Sequence, residues 1–181
     1  MEKTYTIIAG VNGVGKSSFT GVLKHERNLG TVIDIDQIIR QEASGDILNG
    51  SRLGVAQIDE CLQNSQSFSQ ETTLSGHHIL KTIQLAKSSG YNIRLYYIGL
   101  NTAEESIMRI KNRVQKGGHD ISETLVIKRF DKRFADLNKI ISDCDEIQFY
   151  DNNNGFQLIA EITNNNLVIK AHPLPEWFSD F

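Results

Sequence analysis

Cysteine is scarce in this chain. Cys61 and Cys144 stand alone among 181 residues, without the spacing of a metal site or a redox pair. A disulfide scaffold is thereby excluded, and two ordinary thiols in a reducing compartment are expected. Excess positive charge is lacking too. Lysine and arginine number 19 against 22 acidic residues, a formal charge of −3 with a pI near 5.9. A protein that binds nucleic acid by neutralising phosphates would carry the opposite balance, so that class is set aside. No apolar run approaches the roughly 20 residues that cross a bilayer, and no basic, apolar leader precedes the first strand-like run. Internal repeats and long linkers are missing as well. The remaining expectation is a cytoplasmic protein of one domain, residues 1–181, able to bury a core without staples.

The most informative segment is 5–18, a β-branched run that leads straight into G-x-x-x-x-G-K-S. Each residue type in that pattern has a separate task around a polyphosphate. Gly10, Gly13 and Gly15 permit tight turns and close backbone approach. The N–H groups of Gly10–Ser18, with Asn12 and Val14 among them, converge on an anion at a helix N-terminus, where the dipole also favours negative charge. Lys16 is expected on the β/γ-phosphates and the Ser17 hydroxyl on Mg²⁺, with Ser18 closing the loop. The flanks fit, since Thr4–Ala9 is β-prone and Ser17–His25 reads as helix. A nucleotide phosphate with Mg²⁺ is the expected ligand.

Five β-prone runs recur along the chain: Thr4–Ala9, Thr31–Asp34, Ser67–Glu71, Asn92–Gly99 and Glu146–Tyr150. A helical stretch, Ser75–Lys87, lies between the third and fourth and stops at Ser88-Ser89-Gly90. Alternation of strand and helix implies right-handed crossovers, hence a three-layer α/β fold with a five-stranded, mainly parallel sheet. After the polar break Asp151–Gly155, the runs Phe156–Ile162 and Leu167–Ala171 flank Thr163-Asn164-Asn165-Asn166, the pattern of an antiparallel hairpin. This hairpin is either an extension of the sheet edge or an appendage, with residues 152–181 as a C-terminal extension. Trp177 and Phe178 are expected to anchor the tail.

Ligands of parallel sheets sit at the carboxyl ends of the strands, which singles out the residues there. Asp34 and Asp36 close the second run. Asp36 can order Mg²⁺ or take a proton from a hydroxyl, or else cap the helix Gln37–Glu42. Glu71, Thr72 and Thr73 close the third run, one charged acceptor and two hydroxyls that suit a hydroxyl-rich substrate, or else a capping box. Arg109 and Arg113, four apart, share a helix face that ends at the Gly117-Gly118 hinge beside His119. Such arginines can close over a transferred phosphoryl group, or lie on a solvated face. Lys128, Arg129, Lys132 and Arg133 form a second basic cluster.

The ordered set of Gly10–Ser18, Asp36, Glu71-Thr72-Thr73-Leu74, Arg113-x-x-x-Gly117-Gly118-His119 and Asp151–Asn153 resembles the zeta toxin family across about residues 4–171. The resemblance implies a P-loop NTPase/kinase fold that transfers the γ-phosphate of ATP to a hydroxyl of UDP-N-acetylglucosamine. It implies Asp36 as catalytic base, Lys16 and Ser17 on ATP and Mg²⁺, and Glu71 and Thr73 on the substrate. Arg109 or Arg113 takes the phosphate clamp, with Arg129 as a further candidate, and an antitoxin is an implied partner. The chain is shorter than the founding toxins, and its segment between Asp36 and Glu71 reads as brief and polar. Other readings are a nucleotide-binding module without transfer, or a metabolite, nucleotide or antibiotic kinase on the same scaffold.

Overall fold

In the computed structural model, residues 2–43, 45–76, 78–118, 120–179 and 181 are described, Arg40 by its backbone only. The order of elements follows from the alternation in sequence. Strands β1 (Thr4–Ala9), β2 (Thr31–Asp34), β3 (Phe68–Thr72), β4 (Asn92–Gly99) and β5 (Glu146–Asp151) alternate with helices α1 (Lys16–Glu26), α2 (Ile35–Gln41), α3 (Ile47–Gln63), α4 (His78–Ser88), α5 (Ala103–Gln115) and α6 (Glu123–Asn138). The chain ends in β6 (Gln157–Thr163), β7 (Asn166–Ile169) and the short α7 (Glu176–Ser179).

The strands lie in the order β2-β3-β1-β4-β5-β6-β7, with β1 parallel to both β3 and β4. Five parallel strands stand as expected, but the sheet has seven. β6 pairs antiparallel with β5, and β7 with β6, so the hairpin extends the sheet edge. Asn164 and Asn165 take φ of 53° and 58°, the left-handed pair that a two-residue hairpin turn requires.

Strand alternation divides the core. Tyr5, Ile7 and Ala9 of β1 join one cluster with Ile58 of α3, Ile79 and Ile83 of α4 and Leu137 of α6, while Ile8 joins Phe19 and Leu23 of α1 on the opposite face. Because β1 is central, the loop after it opens where successive crossovers leave to opposite sides. Trp177 and Phe178 are buried in the first cluster and hold the tail down.

The segment between Asp36 and Glu71 departs from its polar reading, for it carries the 17-residue helix α3, capped by the Asp46 carboxylate on the Leu48 and Asn49 N–H groups. Gly50 and Gly54, four apart, give α3 a flat stripe against α2. A Cβ on Gly50 would stand 2.8 Å from Ile39 Cα, a backbone atom that no rotamer change can withdraw. Gly50→Ala is therefore expected to destabilise by about 1–2 kcal/mol, an overpacking cost partly offset by helix propensity. Gly21→Ala on α1, where nothing lies within 4 Å, should instead stabilise by up to about 1 kcal/mol. Urea unfolding of the two variants checks this, and an equal response from both would refute the packing argument.

Candidate active site

The glycine loop is held by residues far from it in sequence. Gly10, Gly13 and Gly15 adopt φ of 146°, 77° and 98°, a region closed to most side chains. A Cβ on Gly13 would also stand 2.6 Å from Ser106 O of α5, and one on Gly15 2.8 Å from Asn152 Nδ2. The loop's polar groups are satisfied by the same neighbours. Ser106 Oγ donates to Asn12 O at 2.6 Å, Asn152 Nδ2 to Val14 O at 2.8 Å, and Arg129 Nη1 to Asn12 Oδ1 at 2.8 Å.

Lys16 begins α1 and folds back, its Nζ donating to Gly10 O at 2.9 Å and Val11 O at 3.1 Å. Burial lowers its pKa, and Arg129 adds to the effect, while the carboxylates of Glu71, Asp36 and Asp34 oppose it. An arriving phosphate would reverse that pressure by supplying the missing counter-charge.

The β1–β3 register sets Glu71 beside Ile8, and the β2–β3 register sets Asp34 beside Glu71. Residues in register share a face, here the face covered by α1. Glu71 accordingly turns to that helix, accepting from Ser17 Oγ at 2.8 Å and Thr20 Oγ1 at 2.6 Å. Burial raises the Glu71 pKa, with Asp34 adding to it and the two hydroxyls and Lys16 opposing.

The cost of that buried charge yields a pH prediction. A carboxyl with a raised folded pKa binds its proton more tightly folded than unfolded, so it destabilises above the folded pKa and ceases to do so below the unfolded one. Glu71→Gln should therefore raise Tm at neutral pH, with the gain shrinking as pH falls through the carboxylate range. Thermal melts from pH 7 to 3.5 test this, and a gain independent of pH would contradict it.

Asp36 lies in the first turn of α2 and is exposed. The capping role belongs to Asp34, whose carboxylate accepts from Gln37 N at 3.1 Å, so Asp36 is not the N-cap and does not share a strand face with Asp34. Two clefts meet at this residue. The first, of about 500 Å³, is lined by Asn12, Gly13, Gly15, Lys16, Ser17, Ser18, Asp36, Arg109, Arg113, Asn152, Gly155 and Phe156. The second, of about 310 Å³, is lined by Asp36 and Arg113 again, with Arg129, Asp120 and the apolar Ile39, Ile47, Ile121 and Leu125. Arg109 donates from Nη2 to Asn152 O at 2.6 Å and to Asn153 O at 3.3 Å.

Thr72 and Thr73 line neither cleft. Thr72 Oγ1 accepts from Leu74 N at 3.0 Å and Thr73 Oγ1 shares a hydrogen bond with Ser75 Oγ at 2.7 Å, which shapes the turn before α4. His119 lies outside the described residues.

Thr20 and Phe156 were not anticipated as site residues, while Asp34 stood only as the end of the second run and Asn152 only within the Asp151–Asn153 segment. Thr20, one turn beyond Lys16, and the cap pattern Asp34-x-x-Gln37 are signals readable in sequence. The Asn152–Val14 contact depends on sheet order and leaves no local trace.

Among the described residues, no three histidine, cysteine or acidic side chains gather as a metal site. Mg²⁺ needs no such cage, because it takes one or two protein oxygens and completes its octahedron with phosphates and water. The Ser17 hydroxyl, with the Glu71 carboxylate on it, is a hard-oxygen set of that kind. No helix among the described residues is long and apolar enough to cross a membrane.

The parallel sheet, the glycine loop after its central strand and the lysine that opens α1 define a P-loop kinase fold. The zeta toxin family model matches residues 48–163. The chain belongs to the zeta toxin family. That match includes Glu71, the three arginines and Asp151–Asn153, whereas the loop and Asp36 precede it.

An uncharacterized protein of Haemophilus influenzae is 33% identical over 135 residues, covering 72% of this chain and 94% of that protein. Among solved structures, the PezAT chromosomal toxin–antitoxin system of Streptococcus pneumoniae aligns with TM-score 0.65 and 16% identity over 89% of this chain and 72% of that one. AvrRxo1-ORF1:-ORF2 with ATP aligns with TM-score 0.67 and 16% identity over 93% of this chain, which spans 61% of that one. At such identities the structural likeness is one of fold.

Proposed function

We propose that this chain is an ATP-dependent phosphotransferase that moves the γ-phosphate to a hydroxyl of a small acceptor. The observation that carries the reading is that Asp36 and Arg113 line both clefts. Donor and acceptor spaces thus meet at one carboxylate and one guanidinium. In the first cleft, the loop N–H groups and Lys16 bind the phosphates, and Asn152 and Phe156 flank the nucleotide. In the second, an acceptor lies against Ile39, Ile47, Ile121 and Leu125 with its hydroxyl toward Asp36.

Asp36 receives the hydroxyl proton as the oxygen attacks, and Lys16, Arg109 and Arg113 offset charge on the transferred group. Ser17, with Asp36 or Glu71, would hold Mg²⁺, whose chemistry there would be to neutralise phosphate charge. UDP-N-acetylglucosamine or a related nucleotide sugar is the proposed acceptor, on family membership. The PezAT likeness supports an antitoxin-like protein partner as part of the same reading.

The test is label transfer from γ-labelled ATP to a panel of nucleotide sugars and small alcohols, with wild type beside Lys16→Ala and Asp36→Ala. A labelled acceptor that both substitutions abolish supports the reading. ATP binding with no labelled acceptor would favour a binding module instead.

A further inference from the structure

Tail anchoring accounts for the burial of the Trp177 ring and leaves its indole N–H to be explained. Trp177 Nε1 donates to Asp151 Oδ1 at 2.8 Å. The same carboxylate accepts from Asn153 N at 3.2 Å and Asn153 Nδ2 at 2.5 Å. A second strand of contacts runs beside it, with Trp177 N donating to Asn101 Oδ1 at 3.4 Å and Asn101 N to Asn153 Oδ1 at 3.1 Å. The indole lies against Gly99, where any Cβ would run into the ring. Beyond this turn comes the donor cleft itself, where Asn152 holds Val14 O and the carbonyls of Asn152 and Asn153 hold Arg109.

We propose that Trp177 is a positioning residue for the nucleotide site, its indole N–H fixing Asp151 so that the Asn152–Asn153 turn stands correctly against the glycine loop and Arg109. The proposal rests on the reading of the first cleft as an ATP site. A buried tryptophan usually finds some partner for its N–H. Here the partner is a buried carboxylate whose two other bonds order the turn that bears on the cleft. The C-terminal tail thereby becomes part of the donor site without touching the donor.

Trp177→Phe keeps an aromatic ring against Tyr97 and Phe134 and deletes the N–H together with part of the indole's buried bulk, which makes a packing control necessary. Phe178→Leu loosens the packing of the same tail and leaves the N–H in place. For the full-length wild type and both variants, three quantities are compared: Kd for Mg-ATP by calorimetry, amide exchange at Asn101 and Asn153, and Tm. Trp177→Phe is expected to speed exchange at both amides and to raise Kd on the order of 3- to 10-fold, the equilibrium equivalent of one hydrogen bond. Phe178→Leu should lower Tm at least as much and leave Kd within twofold.

If Trp177→Phe leaves Kd within twofold, the proposal fails even where exchange accelerates. It fails equally if Phe178→Leu raises Kd as much, since general packing would then suffice. Absence of ATP binding by the wild type overturns the donor-site reading and this proposal with it, an outcome distinct from a difference between variants. Because Trp177 is the chain's only tryptophan, its emission in the wild type should also change on ATP addition.

Discussion

Asp36→Asn is expected to reduce phosphoryl transfer on the order of 10²–10⁴-fold, the range for loss of a positioned general base, with ATP affinity within about twofold of wild type. The physical case is the position of the side chain. Asp36 is not needed to cap α2, because Asp34 already accepts from Gln37 N. It is exposed, and asparagine keeps its shape, so the fold should not register the change. What asparagine cannot do is accept a proton from an attacking hydroxyl. Single-turnover transfer measured beside equilibrium ATP binding separates the two effects. A variant that binds and transfers normally would move the base elsewhere, with Glu71 the next carboxylate to test. A variant that loses ATP binding would show Asp36 acting on the donor side.

The second large effect is expected at Lys16. Lys16→Met preserves length and bulk but removes the ammonium proposed to reach the β/γ-phosphates. Transfer should fall on the order of 10²–10³-fold, as for loss of one preorganised donor in a water-poor site. ATP affinity should fall with it, and that separates this variant from Asp36→Asn.

Stability should behave differently from activity. Burial lowers the pKa of Lys16, so its charged form is held at some cost in the nucleotide-free protein, and methionine relieves that cost while leaving the Gly10 and Val11 carbonyls without their donor. The two changes oppose each other, and a Tm within a few degrees of wild type is expected. A collapse of Tm would mean that the lysine holds the loop together, and the loss of activity would then say nothing about phosphate.

The strands were legible because runs such as Ile7-Ile8-Ala9 and Leu95-Tyr96-Tyr97-Ile98 are continuously apolar, the mark of strands buried on both faces. The loop was legible because glycine, lysine and serine each answer a local demand. What could not be read was register. The segment Glu71-Thr72-Thr73 suggested three groups aimed into one crevice, and only the pairing of Ile8 with Glu71 reveals that Glu71 turns to α1. The helix α3 was hidden for another reason. Its two glycines lower helix propensity, and their benefit appears only when α2 lies against them. The arginines were legible as a helical pair, Arg109 and Arg113 facing one cleft, but their bearing on the loop depended on where β5 ends.

That dependence has a consequence for the order in which the protein is made. The glycine loop is synthesised well before its supports, for Asn152, which holds Val14 O, follows that residue by 138 residues. The arginine on Asn12 arrives 117 residues after its partner, and β1 waits for β3 and β4 to flank it. A growing chain thus displays the whole phosphate motif long before it has walls for a phosphate. Contacts so distant in sequence are late to form, so the walls of the loop can close only after Arg129 and Asn152 have been made.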